Sequence, residues 1–342
     1  MSLMSRAFQA FEAAPLPDSL RRGAVDMLVS RAARRMGEGS PELDRAFAEA
    51  MAARPIAEHA DAANRQHYEV PAAFFEKVLG PRLKYSCCLY PEGSETLEQA
   101  EVQALAATCV HADLHDGHDI LELGCGWGSL SLWMAERMPN ARITSVSNSA
   151  GQRAFIEAEA RRRQITNLRV VTADMNRFAP DQRFDRIVSV EMFEHMANWR
   201  VLLSRVRDWL KPDGRLFLHV FAHRTTPYRF EVADRSDWIA QHFFTGGVMP
   251  SRGLIRAFDD LFEVENEWWW SGKHYEKTAL HWLANFDAAL PHIRPVLAET
   301  YGPEARLWEH RWRLFFLATA GLFGHGTGDE WGVVHHRLKP VR

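Results

Sequence analysis

Five short apolar segments in the middle of the chain alternate with stretches of helical patterning. The segments are DILELGCG (119–126), ARITSVSN (141–148), LRVVTAD (168–174), FDRIVSVE (184–191) and GRLFLHVF (214–221). Nearly unbroken apolar strands are typical of sheets buried on both faces, and strands that alternate with helices form right-handed βαβ units. The pattern therefore predicts an α/β fold with a doubly wound, mostly parallel, Rossmann-like sheet.

The chain before these strands has a different texture. Residues 1–64 are rich in alanine, and their helical patterning is interrupted by prolines and glycines, which predicts an N-terminal helical segment. We expect residues 65–117 to form a helical lid that also contacts a cofactor, and residues 118–342 to form the Rossmann-like core.

The chain after the fifth apolar segment predicts additions to the sheet. Residues 222–261 are too long for a simple loop and predict a cap over its ligand-binding edge. FEVENEWWW (262–270) and EWGVVHHRL (330–338) alternate like strands, and we expect the last strand to run antiparallel. Residues 278–323 predict a helical block between these two strands.

Composition narrows the class of protein. A net charge of −3 over 342 residues leaves no basic excess for nucleic acid. The four cysteines lack the spacing of a metal site, and Cys87 and Cys88 are adjacent, so we expect no metal and a reduced, cytoplasmic location. No apolar run approaches the length of a membrane span, and the N-terminus lacks a signal peptide.

A glycine-rich turn follows the first predicted strand in LELGCGWGSL (121–130). Gly124, Gly126 and Gly128 there permit a tight turn and close approach of a ligand to the backbone. The spacing G-x-G-x-G differs from the dinucleotide fingerprint G-x-G-x-x-G, and the second strand ends in Ser147-Asn148 with no carboxylate for a ribose diol. The turn therefore favours S-adenosylmethionine over a nicotinamide cofactor.

Ionisable residues crowd the end of the fourth strand, in VSVEMFEHMANW (188–199). If the chain becomes helical after Val190, then Glu191, Glu194 and His195 lie on one helical face. One interpretation is a helix start whose acids complement the macrodipole. The other is a chemical site, because crowding carboxylates and an imidazole costs desolvation and repulsion.

Several separated motifs together carry a resemblance to a known family. They are QHYEVP (66–71), KYSCCLYP (84–91), LELGCGWGSL (121–130), VSNSAGQ (146–152), VEMFEHM (190–196), SGKHYEKT (271–278) and GDEW (328–331). With these motifs the chain resembles the cyclopropane-fatty-acid synthase superfamily of S-adenosylmethionine-dependent methyltransferases, and within it the coclaurine N-methyltransferase branch. The likeness runs from about residue 64 to residue 338.

The resemblance implies a class I methyltransferase fold with S-adenosylmethionine as cofactor. It implies that Tyr85 and Ser86 contact the methionine moiety, and that Gly124 and Gly126 form the turn around the cofactor. Gln152, which follows Ser147 and Asn148, resembles the residue that holds the ribose. Asp174 and Met175 would flank the adenine, although Asp174 also suits a helix N-cap.

The chain departs from the lipid-modifying members of the superfamily at two positions. Cys87, Glu194 and His219 match positions that hold a bicarbonate ion in the cyclopropane synthases. The tyrosine that also binds this ion falls at Leu314 or Phe315 here, and neither side chain has a hydroxyl. Glu191 replaces a glycine or alanine. Both departures favour an amine acceptor over an alkene.

N-methylation of an amine gives the acidic cluster a chemical purpose. An aliphatic amine is mostly an ammonium ion at neutral pH and cannot attack a methyl group until it loses a proton. We expect Glu191 to bind the amine, His195 to relay the proton, and Glu194 to support or relay. Tyr68 and Glu69 would close the pocket from the N-terminal side.

The leading hypothesis is therefore an S-adenosylmethionine-dependent N-methyltransferase (EC 2.1.1.-) acting on a small amine. The alternative is a cyclopropane-fatty-acyl-phospholipid synthase or another lipid-modifying methyltransferase, whose basic N-terminal helices would contact a membrane surface. A cofactor-binding regulator without catalysis is disfavoured by the intact acidic cluster. The aromatic-rich C-terminal half is compatible with a homodimer.

Two aromatic and histidine clusters favour structural explanations. Trp268, Trp269, Trp270 and Tyr275 could make cation–π contacts with a sulfonium or ammonium ion, but core packing is the more usual role. His335 and His336 are adjacent in the last strand without further ligands nearby, which disfavours metal binding.

Overall fold

The computed structural model describes residues 16–58, 70–231 and 238–342. The nine strands in these ranges are β1 (Asp119–Leu123), β2 (Arg142–Ser147), β3 (Leu168–Thr172), β4 (Phe184–Val190), β5 (Leu210–His223), β6 (Tyr228–Arg229), β7 (Val248–Met249), β8 (Phe262–Ser271) and β9 (Trp331–Pro340). Seven of them form one sheet in the order β3-β2-β1-β4-β5-β9-β8, while β6 and β7 form a separate antiparallel pair.

The strand directions agree with the sequence prediction. β1 pairs in parallel with β2 and β4, and β9 runs antiparallel to both of its neighbours, β5 and β8. The strand order reverses between β1 and β4, and in open α/β sheets ligands bind beside such a reversal, at the carboxyl ends of the strands. The fold therefore directs attention to the loops that follow β1 to β4.

Helices cover both faces of the sheet and add an N-terminal and a C-terminal layer. They are α1 (Asp18–Arg35), α2 (Pro41–Met51), α3 (Ala72–Val78), α4 (Leu97–His111), α5 (Ser129–Arg137), α6 (Ala150–Arg162), α7 (Trp199–Trp209), α8 (Trp238–His242), α9 (Gly272–Ala288), α10 (Leu290–Tyr301) and α11 (Ala305–Phe323). Short 3₁₀ helices lie at Phe193–His195, Leu254–Phe258 and Gly302–Glu304. No helix in the described ranges is long and apolar enough to cross a bilayer.

Local sequence explains where several helices begin. Thr96 and Gln99 form a capping box at the start of α4, in which each side chain bonds to the other residue's backbone. The side chains of Ser149 and Asn198 accept backbone N–H groups at the starts of α6 and α7. These caps fix the two helices that follow β2 and β4 close to the carboxyl edge of the sheet.

The fifth strand is longer than its apolar segment predicts. β5 begins at Leu210, directly after α7, so it includes the stretch KPDG (211–214) that leads into the apolar segment 214–221. The pairing of β4 with β5 shifts register between Phe184 and Arg186, so an irregular ladder accommodates these four residues.

The N-terminal helices pack against two separate parts of the core. In α1, Asp18 pairs with Arg313 of α11, and Arg21 is buried with a nitrogen 3.4 Å from the His310 ring. In α2, Asp44 accepts a hydrogen bond of 2.5 Å from Ser251. Arg21, one of the basic residues of the N-terminal helices, is therefore buried and cannot contact a membrane surface as the lipid-modifying alternative would require.

Residues 222–261, for which we predicted a cap, contain short elements in the part that the structure describes. The described part of residues 222–261 contains the β6–β7 pair, the five-residue helix α8 and one 3₁₀ helix. Buried aromatic side chains of α3, α9 and α11 form one apolar cluster with Trp127, which follows β1, and with Phe221 of β5.

Candidate active site

A large cavity opens at the carboxyl ends of β1 to β4. It has about 1290 Å³ of empty space, including open solvent at its mouth. Its lining contains all the residues that sequence reasoning assigned to the cofactor: Tyr85, Ser86, Gly124, Gly126, Ser147, Asn148, Gln152, Asp174 and Met175. The structure thus gathers residues from four separate segments around one space.

The three glycines of the turn after β1 have different roles. All three have positive φ, at +83° for Gly124, +51° for Gly126 and +82° for Gly128. A Cβ on Gly124 would lie 2.6 Å from Met192, and one on Gly128 would lie 2.7 Å from Ile156, so these two permit close packing. A Cβ on Gly126 would meet no atom within 4 Å. Gly126 lines the cavity and leaves its backbone open to a ligand.

Buried donors without a protein partner line the same space. Gln152 accepts a hydrogen bond of 2.7 Å from Ser147 Oγ, while its Nε2 has no partner among the described residues. The same holds for Trp127 Nε1 and Ser129 Oγ, which also belong to lining residues. Buried polar atoms normally find partners. The hydroxyl and carboxylate oxygens of S-adenosylmethionine fit these donors.

Asp174 lies at the far side of the cavity, just after β3. Its Oδ1 accepts hydrogen bonds of 2.9 Å from the backbone N–H of Asn176 and 3.1 Å from the Asn176 amide. The residues after Asp174 form a turn, so the alternative of a helix N-cap does not apply. The half-buried carboxylate keeps further acceptor sites for a ligand.

Two polar residues that sequence reasoning missed also line the cavity. Glu122 in β1 is buried and accepts hydrogen bonds from Ser131 and Ser145, and burial raises its pKa to about 7. Lys84 is buried and donates to Ser86 Oγ at 2.5 Å and to the Cys87 carbonyl at 2.6 Å. The sequence contained a signal for both residues: Glu122 is an acid within the apolar strand LELGCG, and Lys84 directly precedes the cofactor-binding residues in KYSCC.

Glu191 occupies a strained turn between β4 and the next 3₁₀ helix. Its φ of +47° lies in the left-handed region, which is uncommon for a residue other than glycine. Glu191 is therefore not on a helical face with Glu194 and His195, and that prediction was wrong. The backbone turn instead directs the Glu191 side chain into the cavity.

The Glu191 carboxylate is surrounded by three donors from distant parts of the chain. Oε1 accepts hydrogen bonds from the Cys87 backbone N–H at 2.9 Å and from His219 Nε2 at 3.1 Å. Oε2 accepts a bond of 2.6 Å from the Tyr275 hydroxyl. The side chain is 8% exposed, and burial raises the pKa of this carboxyl while the charge of Lys84 opposes the rise. The carboxyl is thus held rigidly and is easier to protonate than an exposed one.

His195 and Glu194 point to different environments. His195 lines the cavity, and its ring stacks on Phe244 with centroids 5.3 Å apart and planes 4° apart. Glu194 is fully buried and outside the cavity lining; it accepts a bond of 2.7 Å from the Phe221 N–H. Burial, with the charge of Glu191, raises the pKa of Glu194 well above its usual value. Glu191 and His195 face the cavity, whereas Glu194 faces the core.

The remaining sequence predictions have separate outcomes. Tyr68 and Glu69 lie outside the residues that the structure describes. None of Trp268, Trp269 and Trp270 lines the cavity, and the Tyr275 hydroxyl donates a hydrogen bond to Glu191. The described residues contain no cluster of three or more His, Cys, Asp or Glu side chains that could hold a metal ion.

Comparisons with known proteins identify relatives over most of the chain. The family model for mycolic acid cyclopropane synthetase matches residues 57–330. An (S)-coclaurine N-methyltransferase of Thalictrum flavum is 38% identical over 289 residues, which covers 83% of this chain and 80% of that protein. The cyclopropane-fatty-acyl-phospholipid synthase of Escherichia coli is 29% identical over 275 residues, covering 80% and 67%.

Solved structures of a coclaurine N-methyltransferase and of a cyclopropane synthase also superpose on this chain. A coclaurine N-methyltransferase bound to N-methylheliamine and SAH superposes with a TM-score of 0.94 at 33% identity, and covers 99% of this chain and 100% of that one. The cyclopropane synthase MmaA2 from Mycobacterium tuberculosis has a TM-score of 0.69 at 22% identity over 82% of this chain and 98% of that one, a likeness that concerns the fold.

Proposed function

Because the chain belongs to the mycolic acid cyclopropane synthetase family and is an S-adenosylmethionine-dependent methyltransferase, we propose that its methyl acceptor is the nitrogen of a small amine. We infer an amine of the kind that gives the relatives their names, such as coclaurine. The observation that carries this proposal is the position of Glu191 and His195 in the same cavity as the cofactor-binding residues.

The chemistry of methyl transfer explains why a carboxylate and an imidazole suit that position. The sulfonium is a good leaving group, so the enzyme needs only to place the nucleophile in line with the methyl carbon in a dry site. A secondary amine with a pKa around 10 arrives as an ammonium ion and must lose one proton first. Glu191 attracts the ammonium ion, and His195 accepts the proton.

The hydrogen bonds to Glu191 support an amine acceptor over an alkene. In the cyclopropane synthases, the resemblance places a bicarbonate ion at the positions of Cys87 and His219. Here the Cys87 N–H and His219 Nε2 both bond to the Glu191 carboxylate, at 2.9 and 3.1 Å. The protein's own carboxylate thus takes donors that a bicarbonate ion would need. This supports a site in which the negative charge is built in and faces a cationic substrate.

The other residues of the cluster then have supporting roles. We assign Glu194 a structural role, because its carboxylate binds the backbone of β5 and lies outside the cavity lining. Tyr275 orients Glu191 through its hydroxyl. Tyr68 and Glu69 are proposed to close the pocket on the strength of the resemblance. All four cysteines are free thiols, which supports a reducing compartment for the reaction.

A substrate screen tests the proposal. The purified protein is incubated with S-adenosylmethionine and, in separate reactions, with coclaurine, with heliamine, and with vesicles of phospholipids that carry unsaturated acyl chains. We expect the mass of one added methyl group on an amine and no modified lipid. Turnover of the vesicles without turnover of any amine would overturn the proposal in favour of the lipid-modifying alternative.

A further inference from the structure

Three histidines form a hydrogen-bonded chain that leads away from Glu191. His219 Nε2 lies 3.1 Å from Glu191 Oε1, and His219 Nδ1 lies 2.8 Å from His335 Nε2. His335 Nδ1 in turn lies 2.8 Å from His111 Nδ1. In His219 and in His335, one ring nitrogen faces the preceding group and the other faces the next ring, so the histidine chain is continuous.

The fold holds these rings in line. His219 and His335 are direct partners in the antiparallel pairing of β5 with β9, and His111 is the last residue of α4. Trp268 stacks on His111 with ring centroids 3.9 Å apart and planes 5° apart, and Trp270 lies 4.2 Å from the His335 ring. The tryptophans of the FEVENEWWW strand thus wall the histidine chain.

The histidine chain starts in the core of the protein and ends at its surface. His219 and His335 are completely buried, whereas His111 is half-buried, which leaves its Nε2 to solvent. Burial lowers the pKa of His111 to about 4 and lowers the pKa values of the other two rings well below the usual range. Each ring is therefore neutral near pH 7 and carries one N–H, as a proton-conducting chain requires.

We propose that His219, His335 and His111 exchange the proton of Glu191 with solvent while ligands fill the cavity. The proposal rests on the proposed function, in which Glu191 faces an ammonium ion. An S-adenosylmethionine molecule and an amine block the direct path from Glu191 to water. None of the three histidines lines the cavity: the histidine chain runs from Glu191 through the paired strands β5 and β9 to α4.

The proton balance of this exchange is simple. With Glu191 protonated, its O–H donates to His219, and every ring donates toward the surface. Glu191 passes its proton to His219 Nε2, His219 passes its Nδ1 proton to His335 Nε2, His335 passes its Nδ1 proton to His111 Nδ1, and His111 releases its Nε2 proton to water. Afterwards Glu191 is a carboxylate and every ring donates toward it. One proton has left, and each ring is still neutral.

This exchange keeps Glu191 ionised when the amine is bound. A buried carboxyl is prone to take up a proton, and only the carboxylate attracts an ammonium ion. The ionisable groups that face Glu191 and the three rings are Lys84, Cys87, Glu194, His195, Tyr275, His336 and Arg337. Of these, Cys87 donates to Glu191 only through its backbone and Tyr275 donates its hydroxyl, so neither of these two contacts leads to the surface.

Two variants interrupt the histidine chain, and one matched variant leaves it intact. His335→Gln keeps a polar side chain that cannot pass a proton on, and His111→Ala removes the outer ring beside Trp268. His336→Gln is the control, because His336 is buried in the same strand next to Glu267 instead of His219. Each variant is first checked for its Kd for S-adenosylmethionine, which we expect to be unchanged.

The kinetic measurement uses the amine that the wild-type protein methylates. We expect kcat at pH 7 to fall by about tenfold in His335→Gln and His111→Ala, with a pH profile displaced to higher pH, and to stay near the wild-type value in His336→Gln. Added imidazole should restore His111→Ala and leave His335→Gln unchanged. Wild-type pH profiles in both His335→Gln and His111→Ala would overturn the proposal. It would also be overturned if kcat fell only in His335→Gln and imidazole had no effect on the kcat of His111→Ala.

A second measurement needs no amine and separates this proposal from the proposed function. The carboxyl infrared band of Glu191, assigned by its loss in Glu191→Gln, is followed after a pH jump in protein saturated with S-adenosylmethionine. We expect slower loss of the band in His335→Gln than in the wild type and in His336→Gln. Equal rates in all three would refute the histidine path even if no amine substrate is found.

Discussion

Replacing Glu191 by glutamine tests the centre of the proposed mechanism. Glutamine has the same shape and loses the charge. Its amide oxygen can still accept the bonds that Cys87 N–H and His219 donate at 2.9 and 3.1 Å. The amide nitrogen would face the Tyr275 hydroxyl, which can accept as well as donate. We therefore expect the fold to persist, with a cost of about 1 kcal/mol for the altered hydrogen bond.

The catalytic effect should be much larger than this structural cost. Without the carboxylate, the ammonium ion loses the partner that attracts it to the site, and His195 no longer has an ammonium ion held beside it from which to accept the proton. Positioned acid–base groups contribute roughly 10²–10⁴ to rate, which corresponds to about 3–5 kcal/mol of transition-state stabilisation. The expected result for Glu191→Gln is a fall of about that factor in kcat/KM for the amine, with an unchanged Kd for S-adenosylmethionine.

Glu194→Gln is the matched control for this prediction. Glu194 is also a glutamate, lies three residues away and is more deeply buried, but it is outside the lining of the cavity. Its amide oxygen can keep the bond to the Phe221 N–H. We expect kcat/KM within about tenfold of the wild type, measured by methyl transfer to the same amine. A wild-type rate in Glu191→Gln together with a collapse in Glu194→Gln would refute the assignment of roles.

Three further predictions concern the cofactor site. Gly126→Ala should weaken S-adenosylmethionine binding by at least about tenfold in calorimetry, because its Cβ would enter open cavity. Gly126→Ala and Gly128→Ala both place a side chain at positive φ, so each should lower thermal stability by about 1–2 kcal/mol. Gly128→Ala should lower it further, because its Cβ would lie 2.7 Å from Ile156. Gln152→Leu removes a buried donor that has no protein partner and should weaken cofactor binding by about 1–2 kcal/mol; an unchanged Kd would argue against the ribose contact. Burial raises the pKa of Glu122 to about 7, so its stabilising contribution is complete below the ordinary pKa near 4.5 and is lost as pH rises toward 7. In denaturant unfolding, Glu122→Gln should abolish a pH-dependent loss of at most about 3 kcal/mol over this range.

Much of the fold could be predicted from local patterns. An apolar strand that ends in glycines, or in Ser147 or Asp174, identifies itself within a few residues. Because parallel strands present their carboxyl ends at one edge of the sheet, the predicted cofactor residues were expected to converge. They do so in a single cavity. The strand Phe262–Ser271 was also predictable, from the alternation of apolar and polar residues in its first half.

The division of roles within VEMFEHM was beyond local reasoning. Helical spacing places Glu191, Glu194 and His195 on one face, but the left-handed backbone at Glu191 sends its side chain into the cavity and leaves Glu194 in the core. Such a φ carries a conformational cost that tertiary contacts must offset. Here the Tyr275 hydroxyl and the Cys87 N–H bind the carboxylate. No short window of sequence contains both these partners and the turn.

The sequence by itself determined the fold class, the cofactor-binding edge and the presence of an acidic cluster beside it, because these follow from periodicity and from spacing within one motif. Only the tertiary structure decided which acid faces the cavity and which histidines connect it to the surface. His111, His219 and His335 lie on a helix and two strands that are far apart in the chain. Their contact depends on strand register and helix packing, and these are set by the burial of the whole core.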